Sequence, residues 1–261
     1  MRALTTAATG MLAQQLNVET IANNIANATA TGFKRERAEF ADLLYQSQQR
    51  VGTQSSDTGT VFPAGIQVGL GVKPVAVFRI HDQGNLQQTN NPLDVAIKGR
   101  GYFQINLPDG TTVYTRDGSF KLSSTGEIVN AAGYSVAPGL TIPQNASAIS
   151  IDSTGQVQAS VPGQTAPQVV GQLQLAAFVN DAGLENLGDN LLGQTEASGQ
   201  AVTGNAGSTG FGTLQQNFLE TSNVNIVQEI TSLITAQRAY EINSKIIQAA
   251  DDMLSNLNQI R

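Results

Sequence analysis

A seven-residue apolar repeat at each end of the chain most restricts how these 261 residues can fold. Near the amino terminus the repeat falls at Leu4, Met11, Val18 and Ile25. Near the carboxyl terminus it falls at Ile226, Leu233, Tyr240, Ile247 and Leu254. Apolar residues at this interval form a stripe along one side of an α-helix, which another surface has to cover. The sequence predicts a helix at each end, paired as an antiparallel coiled coil. Two core helices of a single globule would give the same pattern.

The centre of the chain alternates apolar and polar residues in short runs separated by glycine turns. The segment YFQINLPDGTTVYTRDGSFKLSSTGEIVNAAGYSV has turn signals at Asp109-Gly110, Asp117-Gly118, Thr125-Gly126 and Ala132-Gly133. Alternation with period two is typical of half-buried strands, and Asp-Gly favours tight reversals. The pattern predicts a central antiparallel β-rich domain, so the expected fold class is α+β.

An asparagine-rich turn, ANNIANATATGFK, closes the predicted first helix. Asn is a poor residue inside a helix because its amide competes for backbone hydrogen bonds. At a helix interface it instead exchanges apolar contact for bonds that select one partner. We therefore expect Ile21, Asn24 and Asn27 to join the two apolar repeats in a subunit interface. Gly32 would supply the left-handed residue that stops the helix, with Phe33 folding back on it.

Composition argues against several classes of protein. Charged residues make up only 13% of the chain and the net charge is -6, which disfavours nucleic-acid binding. Cysteine is absent, so disulfides and thiolate sites are excluded. Lys34, Arg35 and Arg37 form the only local basic cluster. The first residues lack the apolar run of a cleaved secretory signal, and no segment approaches 18 apolar residues.

Residues suited to catalysis are sparse. The single histidine, His81, stands in RIHDQGNL, which indicates a strand running into a turn. Asp109 and Asp117 are explained by their Asp-Gly turns, and the glycine segments do not match a dinucleotide or phosphate-binding loop. We therefore expect no enzymatic activity, no cofactor, no metal site and no small-molecule substrate.

Three long segments together resemble the flagellar basal-body rod and hook protein family. IANNIANATATGFKRERAEFADLL resembles its amino-terminal signature and LETSNVNIVQEITSLITAQRAYEINSKIIQAADDML its carboxyl-terminal one. GRGYFQINLPDGTTVYTRDGSFKLSSTGEIVNAAGYSV is similar to its β domain. The segment from Thr53 to Phe103 is similar to that of the distal rod subunit. A proximal rod subunit is the nearest alternative within the family.

The resemblance implies a structural subunit of the flagellar distal rod. Many copies would stack into a stiff hollow helical drive shaft that transmits motor torque to the hook. The implied partners are further copies of the chain, proximal rod proteins, hook protein, P-ring and L-ring proteins, the rod cap and the flagellar export apparatus. The implied location is the basal body, in the periplasm, after export without a cleaved signal peptide.

The expected organisation has three parts. Residues 1–32 and 222–261 would form a discontinuous helical domain, and residues 71–195 an outer β-rich domain. Residues 33–70 and 196–221 would connect them. Within this connection, residues 46–66 are too polar for a core strand and lack helical periodicity, so we expect an extended arm. The resemblance implies a rod-stiffening role for it, assigned to Gln46, Arg50, Gln54, Asp57, Val61, Phe62 and Ile66.

One alternative comes from a different class of function. A β-domain binding protein on a helical stalk would use the same two apolar repeats to form discrete dimers or trimers. An assembly subunit instead has marginal terminal helices that gain their partners by association. The sequence leaves both possibilities open.

Overall fold

A computed structural model describes residues 2–49, 64–164 and 166–259 of the chain. The described residues form two compact units. A helical unit lies within residues 1–26, 36–78 and 225–261, and a β unit comprises residues 27–35 and 79–224. The predicted connecting region is therefore divided between these two units instead of forming a third.

Two long helices occur where the apolar repeats predict them, α1 (Arg2–Ala26) and α2 (Ile226–Gln259). The start of α2 is capped by Asn225, whose Oδ1 accepts hydrogen bonds from the amides of Val227 and Gln228 at 3.1 and 3.3 Å. Such a cap pairs amide groups that have no partner inside the helix.

The predicted helix stop at Gly32 is wrong, because α1 already ends at Ala26. Here the carbonyl of Asn27 accepts a bond from the amide of Ala30 at 3.1 Å, which turns the chain. Gly32 does have a left-handed φ of 70°, but it serves a close backbone approach. A Cβ there would lie 2.9 Å from the carbonyl carbon of Arg116. Phe33 is buried, with the Arg79 guanidinium 5.7 Å from its ring centroid.

The helical unit also contains two ribbons of two strands each. Their strands are β1 (Glu36–Asp42), β2 (Tyr45–Gln49), β3 (Ile66–Gly69) and β4 (Val72–Arg79). Strand β1 pairs with β4, and β2 pairs antiparallel with β3. The two ends of the expected arm are thus held side by side.

The strands of the β unit confirm the predicted antiparallel β-rich region. In chain order they are β5 (Leu86–Gln88), β6 (Val95–Lys98), β7 (Tyr102–Asn106), β8 (Thr112–Thr115), β9 (Lys121–Leu122), β10 (Ile128–Val129), β11 (Ser135–Val136), β12 (Ala148–Ile151), β13 (Gln156–Ser160), β14 (Gln168–Gln172), β15 (Gln174–Ala177), β16 (Glu185–Gly188), β17 (Leu191–Gly193), β18 (Val202–Asn205), β19 (Thr213–Gln216) and β20 (Phe218–Glu220). A short 3-10 helix spans Asp181–Gly183.

One nine-stranded sheet organises the β unit. Its main order is β16-β17-β8-β7-β11-β10-β9, and β15 joins β7 to the edge strand β18. The remaining pairings are β12-β13-β14, β19-β6 and β20-β5.

Strand β7 shows how the alternation builds two cores. Phe103 and Ile105 point into the larger apolar cluster, and Tyr102 belongs to a smaller cluster that includes Tyr114 and Phe178. Successive side chains of a strand point to opposite faces, so one alternating run supplies both clusters.

Candidate assembly interface

The two helices of the helical unit pack against each other in antiparallel orientation. Near the end of α1, Asn24 contacts Glu229 at the start of α2. Near the start of α1, Gly10 lies against Asn243 further along α2. The two contacts are separated by two seven-residue repeats in each helix. Asn17 and Ala236 lie midway between them and line one groove.

The contact face of this pair consists of small and polar side chains. Ala7 and Ala13 of α1 and Ala236 and Ala250 of α2 are buried. At Gly10, a Cβ would lie only 3.0 Å from the Nδ2 atom of Asn243. Small residues let two helix backbones approach closely, and they bury little apolar area when they do so. The helices therefore meet largely through small and polar residues, with Ile21 also buried, and they leave several large apolar side chains of α2 exposed.

Asn24 is bonded entirely within the helical unit. It is 1% exposed, and its Nδ2 donates to the carbonyl of Glu36 at 2.8 Å and to Oε2 of Glu229 at 3.2 Å. Its Oδ1 accepts from the Glu36 amide at 2.8 Å. Asn24 thus joins α1 to both β1 and α2 within one chain. The expectation that it faces another subunit is corrected, because its polar atoms are already used.

The other predicted interface residues occupy three kinds of position. Ile21 is buried in the helical unit, and Asn27 is half-buried in the turn after α1. The half-buried helical positions are Leu4, Met11, Val18, Ile25, Leu233, Ile247 and Leu254. Ile226 and Tyr240 are exposed.

A large set of apolar side chains on α2 is exposed to solvent. It contains Ile226, Val227, Ile230, Ile234, Tyr240, Ile242, Ile246 and Met253, with Val227 75% exposed. Isolated apolar residues are common on protein surfaces, but an extended apolar patch marks an interaction site. The seven-residue repeat does not show which apolar residues pack against α1 and which face solvent. The exposed set can be identified only once the face of α2 that contacts α1 is known.

The base of the predicted arm lies in the helical unit. Gln46 belongs to β2 and Ile66 to β3, and both are exposed. Leu44 and Tyr45, at the start of this ribbon, are also exposed, Leu44 by 83%. The other predicted arm residues, Arg50, Gln54, Asp57, Val61 and Phe62, lie outside the described residues.

Sequence reasoning missed a buried ionic cluster in the β unit. The Glu220 side chain is 0% exposed and pairs with Lys34 through one oxygen and with the Nε of Arg116, 2.9 Å away, through the other. Lys34 Nζ also donates to the carbonyl of Asp82 at 2.7 Å, and Arg116 Nη1 donates to the carbonyl of Gly101 at 2.6 Å.

Lys34 is therefore a structural residue and not part of a surface basic patch. Burial lowers its pKa, and the Glu220 carboxylate opposes that effect. The resemblance pointed to Lys34 as part of a signature. Nothing in the sequence linked Lys34 to Arg116 or Glu220, which lie far away along the chain.

His81 has a partner in the same unit. Its Nδ1 lies 2.8 Å from the Tyr102 hydroxyl, and burial lowers the pKa of His81 to about 4. Burial also raises the pKa of Tyr102, so a protonated hydroxyl faces a neutral imidazole, and the histidine tautomer sets which of the two groups donates. Both residues line a cavity of about 260 Å³ with Lys34, Arg100, Arg116 and Asp181. The three cationic side chains of this cavity are already paired. Arg100 contacts Asp181 at 3.3 Å, and Lys34 and Arg116 contact Glu220.

The described part of the chain contains no helix that could span a membrane and no cluster of metal-ligating side chains. Neither α1 nor α2 is long and apolar enough to cross a membrane. Among the same residues, His, Asp and Glu side chains do not gather in a group that could hold a metal ion.

Family models match the chain at both ends and in the middle. The model described as flagella basal body rod protein matches residues 4–34, and that of the flagellar hook protein FlgE/F/G D1 domain matches residues 96–159. The flagellar basal body rod FlgEFG protein C-terminal model matches residues 215–260.

Curated relatives align along the whole chain. The flagellar basal-body rod protein FlgG of Caulobacter vibrioides is 57% identical, with 100% of each chain covered. The chain belongs to the FlgG family of flagellar basal-body rod proteins. FlgG of Borreliella burgdorferi is 49% identical over 100% of this chain and 99% of that relative. FlgG of Bacillus subtilis is 37% identical over the same shares.

Membership of the FlgG family gives the helices and the buried cluster a context. The family is a structural one and not an enzyme family, and its members are components of the flagellar basal-body rod. Most of α1 and all of α2 fall within matched ranges, as do Lys34 and Glu220. The resemblance predicted from the sequence is confirmed.

Proposed function

We propose that this chain polymerises into the distal part of the flagellar rod, a stiff hollow helical shaft that carries motor torque to the hook. The observation that carries the proposal is the exposed apolar surface of α2. Burying apolar area gives about 25 cal/mol per Å², so a surface of this size favours association. Basal-body rod relatives along the whole chain support polymerisation as the form that association takes.

Within each subunit, α1 and α2 would act as an antiparallel coiled coil. The three contact layers at Gly10, Asn17 and Asn24 repeat every seven residues, which supports this geometry. A pair built on small and polar layers is held in register but is weakly stabilised by its own burial. The polymer would supply the remaining stabilisation by covering the outer apolar residues.

Stiffness would come from the arm between Gln46 and Ile66. An isolated two-stranded ribbon is marginally stable in water, and this one carries exposed apolar side chains at Leu44, Tyr45 and Ile66. Docking on a neighbouring copy would bury these side chains. Subunits could then slide past one another only by breaking those contacts.

The wider assembly is proposed from the same family. The partners would be proximal rod proteins below, hook protein above, the P-ring and L-ring proteins around the rod, and the rod cap during growth. The chain would reach the periplasm through the flagellar export apparatus without a cleaved signal peptide.

The experiment that tests polymerisation compares the full chain with a chain lacking residues 2–25. The full chain should form open-ended filaments in electron micrographs, and the shortened chain should remain small in sedimentation velocity. Near-ultraviolet circular dichroism should show that the β unit stays folded. Filaments from the shortened chain would refute a role for α1, and discrete dimers or trimers of the full chain would favour the stalk alternative.

The arm is tested separately by bending measurements. Replacing residues 47–67 by Asn-Gly would close the Gln46–Val68 pair with a tight turn and remove the arm. We expect filaments of this variant to have a shorter persistence length in electron micrographs. A matched control replaces the arm by a Gly-Ser segment of equal length, which keeps the spacing and removes the contacts. Equal stiffness in all three polymers would reject the arm as the stiffening element.

A further inference from the structure

The exposed apolar residues of α2 fall into two separate patches. Patch one lies near the start of the helix and comprises Ile226, Val227, Ile230 and Ile234. Patch two begins at the middle of the helix and comprises Ile242, Ile246 and Met253. Arg238, Tyr240 and Glu241, all exposed, lie between the two patches.

The two patches face different directions. At 100° per residue, Ile230 and Ile246 point about 160° apart around the helix. Around the helix axis, Ile230 lies about 120° to one side of the buried Ala236, and Ile246 lies about 80° to its other side. Because a packed helix covers a stripe roughly 100° wide, one neighbouring helix cannot cover both patches.

The grooves beside α2 support this assignment to two sides. One groove is lined by Val18 of α1 with Gln237, Tyr240 and Glu241 of α2, so it borders patch one. The other groove is lined by Asn17 of α1 with Thr235 and Ala239 of α2. Patch two continues the line of Thr235 and Ala239 along the helix, at spacings of three, four and seven residues.

Each side of α2 is apolar in one half and polar in the other. Beyond patch one, the same side continues with Glu241, Lys245, Gln248 and Asp252. Before patch two, its side carries Thr231, Thr235 and Arg238. A neighbour aligned at the same height would set each apolar patch against a polar half. A neighbour displaced along the axis can set patch one against patch two.

We propose that α2 binds two further copies of this chain, with patch one of each copy packed against patch two of the next. This inference rests on the proposed polymerisation and names its contact. A rod that joins different components at its two ends requires all copies to point the same way, which excludes two-fold contacts of a patch with itself. Contact between two different patches does not close on itself and can extend without limit.

The pairing fixes a displacement between neighbours. Ile230 and Ile246 are 16 residues apart, as their numbers give. If the two α2 helices run parallel, Ile230 of one copy reaches Ile246 of the next when the copies are shifted by about 24 Å along the helix axis.

Cysteine cross-linking tests the pairing directly, because the natural chain contains no cysteine. One full-length variant carries Ile230→Cys and a second carries Ile246→Cys. Oxidation of their mixture should give about tenfold more dimer than oxidation of either variant alone. The matched control mixes Thr235→Cys with Lys245→Cys, which places one thiol in each polar half and should give only background.

Three results would overturn the pairing. Strong dimers from Ile230→Cys alone would show that patch one binds itself. Equal cross-linking in the control mixture would show contact without specificity. Wild-type filaments without any Ile230–Ile246 cross-link would reject the pairing while leaving polymerisation intact, whereas loss of filaments from the wild type would reject polymerisation itself.

Charge substitutions give a second readout. Ile230→Glu with Ile234→Glu disables patch one, and Ile242→Glu with Ile246→Glu disables patch two. Neither variant should form filaments, but an equimolar mixture should form dimers through the remaining intact patches, detected by sedimentation velocity. Thr231→Glu with Thr235→Glu adds the same charge to the polar half of the side that carries patch two, outside both patches, and should still polymerise. Filaments from either patch variant, or dimers from each variant alone, would contradict the proposal.

Discussion

The Nδ2 atom of Asn24 donates a hydrogen bond to Oε2 of Glu229, 3.2 Å away, and so joins the end of α1 to the start of α2. The same side-chain amide also donates to the carbonyl of Glu36 and accepts from its backbone N–H. We expect Asn24→Ala to lower the free energy of unfolding of the helical unit by about 2–4 kcal/mol, since it leaves a buried carboxylate with fewer partners.

Urea unfolding followed by circular dichroism at 222 nm measures this effect. Asn23→Ala is the matched control, because Asn23 is the exposed neighbour and donates to the Glu36 carboxylate at 3.0 Å. It should cost less than about 1 kcal/mol. Equal losses in the two variants would show that the buried amide is not special.

Glu220→Gln should strongly destabilise the β unit. The substitution keeps the shape of the side chain but leaves Lys34 and Arg116 buried beside a neutral amide. Removing one partner of a buried ionic group costs about 3–5 kcal/mol, because the remaining charge is poorly solvated. Thermal unfolding by near-ultraviolet circular dichroism would report the loss.

Glu39→Gln provides the comparison for that cluster. Glu39 pairs with Arg37 at 3.3 Å, and both side chains are about half exposed. Water screens such a pair, so the cost should stay below about 1 kcal/mol. A Glu220→Gln variant as stable as this control would mean that the cluster contributes little.

Gly32→Ala should cost more than a left-handed backbone alone explains. Placing Ala at positive φ costs about 1–2 kcal/mol. At Gly32 the added Cβ would also lie 2.9 Å from backbone atoms of Arg116 and Asp117. Gly133 has a similar φ of 88°, and no atom lies within 4 Å of an added Cβ there. Gly133→Ala therefore measures the cost of the left-handed backbone without crowding. Chemical denaturation of both variants should show the larger loss at Gly32, and equal losses would indicate that the crowding is relieved freely.

Acid should weaken the β unit through His81. The pKa of His81 is about 4 in the folded chain and near 6.5 when the chain is unfolded. Between these values the unfolded state binds a proton that the folded state does not, so stability falls as pH drops from about 6.5 to about 4. The full loss is at most about 3 kcal/mol.

His81→Gln should flatten this part of the pH dependence. Denaturation midpoints of the two proteins between pH 4 and pH 7.5 give the comparison, and carboxylates contribute equally to both. The curves should converge as pH falls. Parallel curves across the whole range would show that His81 does not contribute.

The elements of this fold were predictable where one local pattern decides them. Both terminal helices follow from repeats such as Leu4 to Ile25, and the antiparallel strands follow from alternation such as that of Tyr102 to Ile105. The end of α1 was not predictable in the same way. A left-handed glycine was visible at Gly32, but α1 ends earlier, where the Asn27 carbonyl accepts a bond from the Ala30 amide and Asn24 bonds Glu36.

Distant pairings were beyond the reach of local patterns. Lys34, Arg116 and Glu220 come from three separated segments, and none carries a spacing signal that links it to the others. The apolar repeats also did not show which residues join the two helices, and these include small residues such as Ala7 and Ala236. The seven-residue repeat identified helices correctly and assigned their contact face only in part.

Strands β5 and β20 pair through Leu86 and Glu220, so the segment between them begins and ends at adjoining points. Everything between those strands can be regarded as a cassette inserted at a single junction. A cassette of different size or surface could be exchanged there without lengthening either connection.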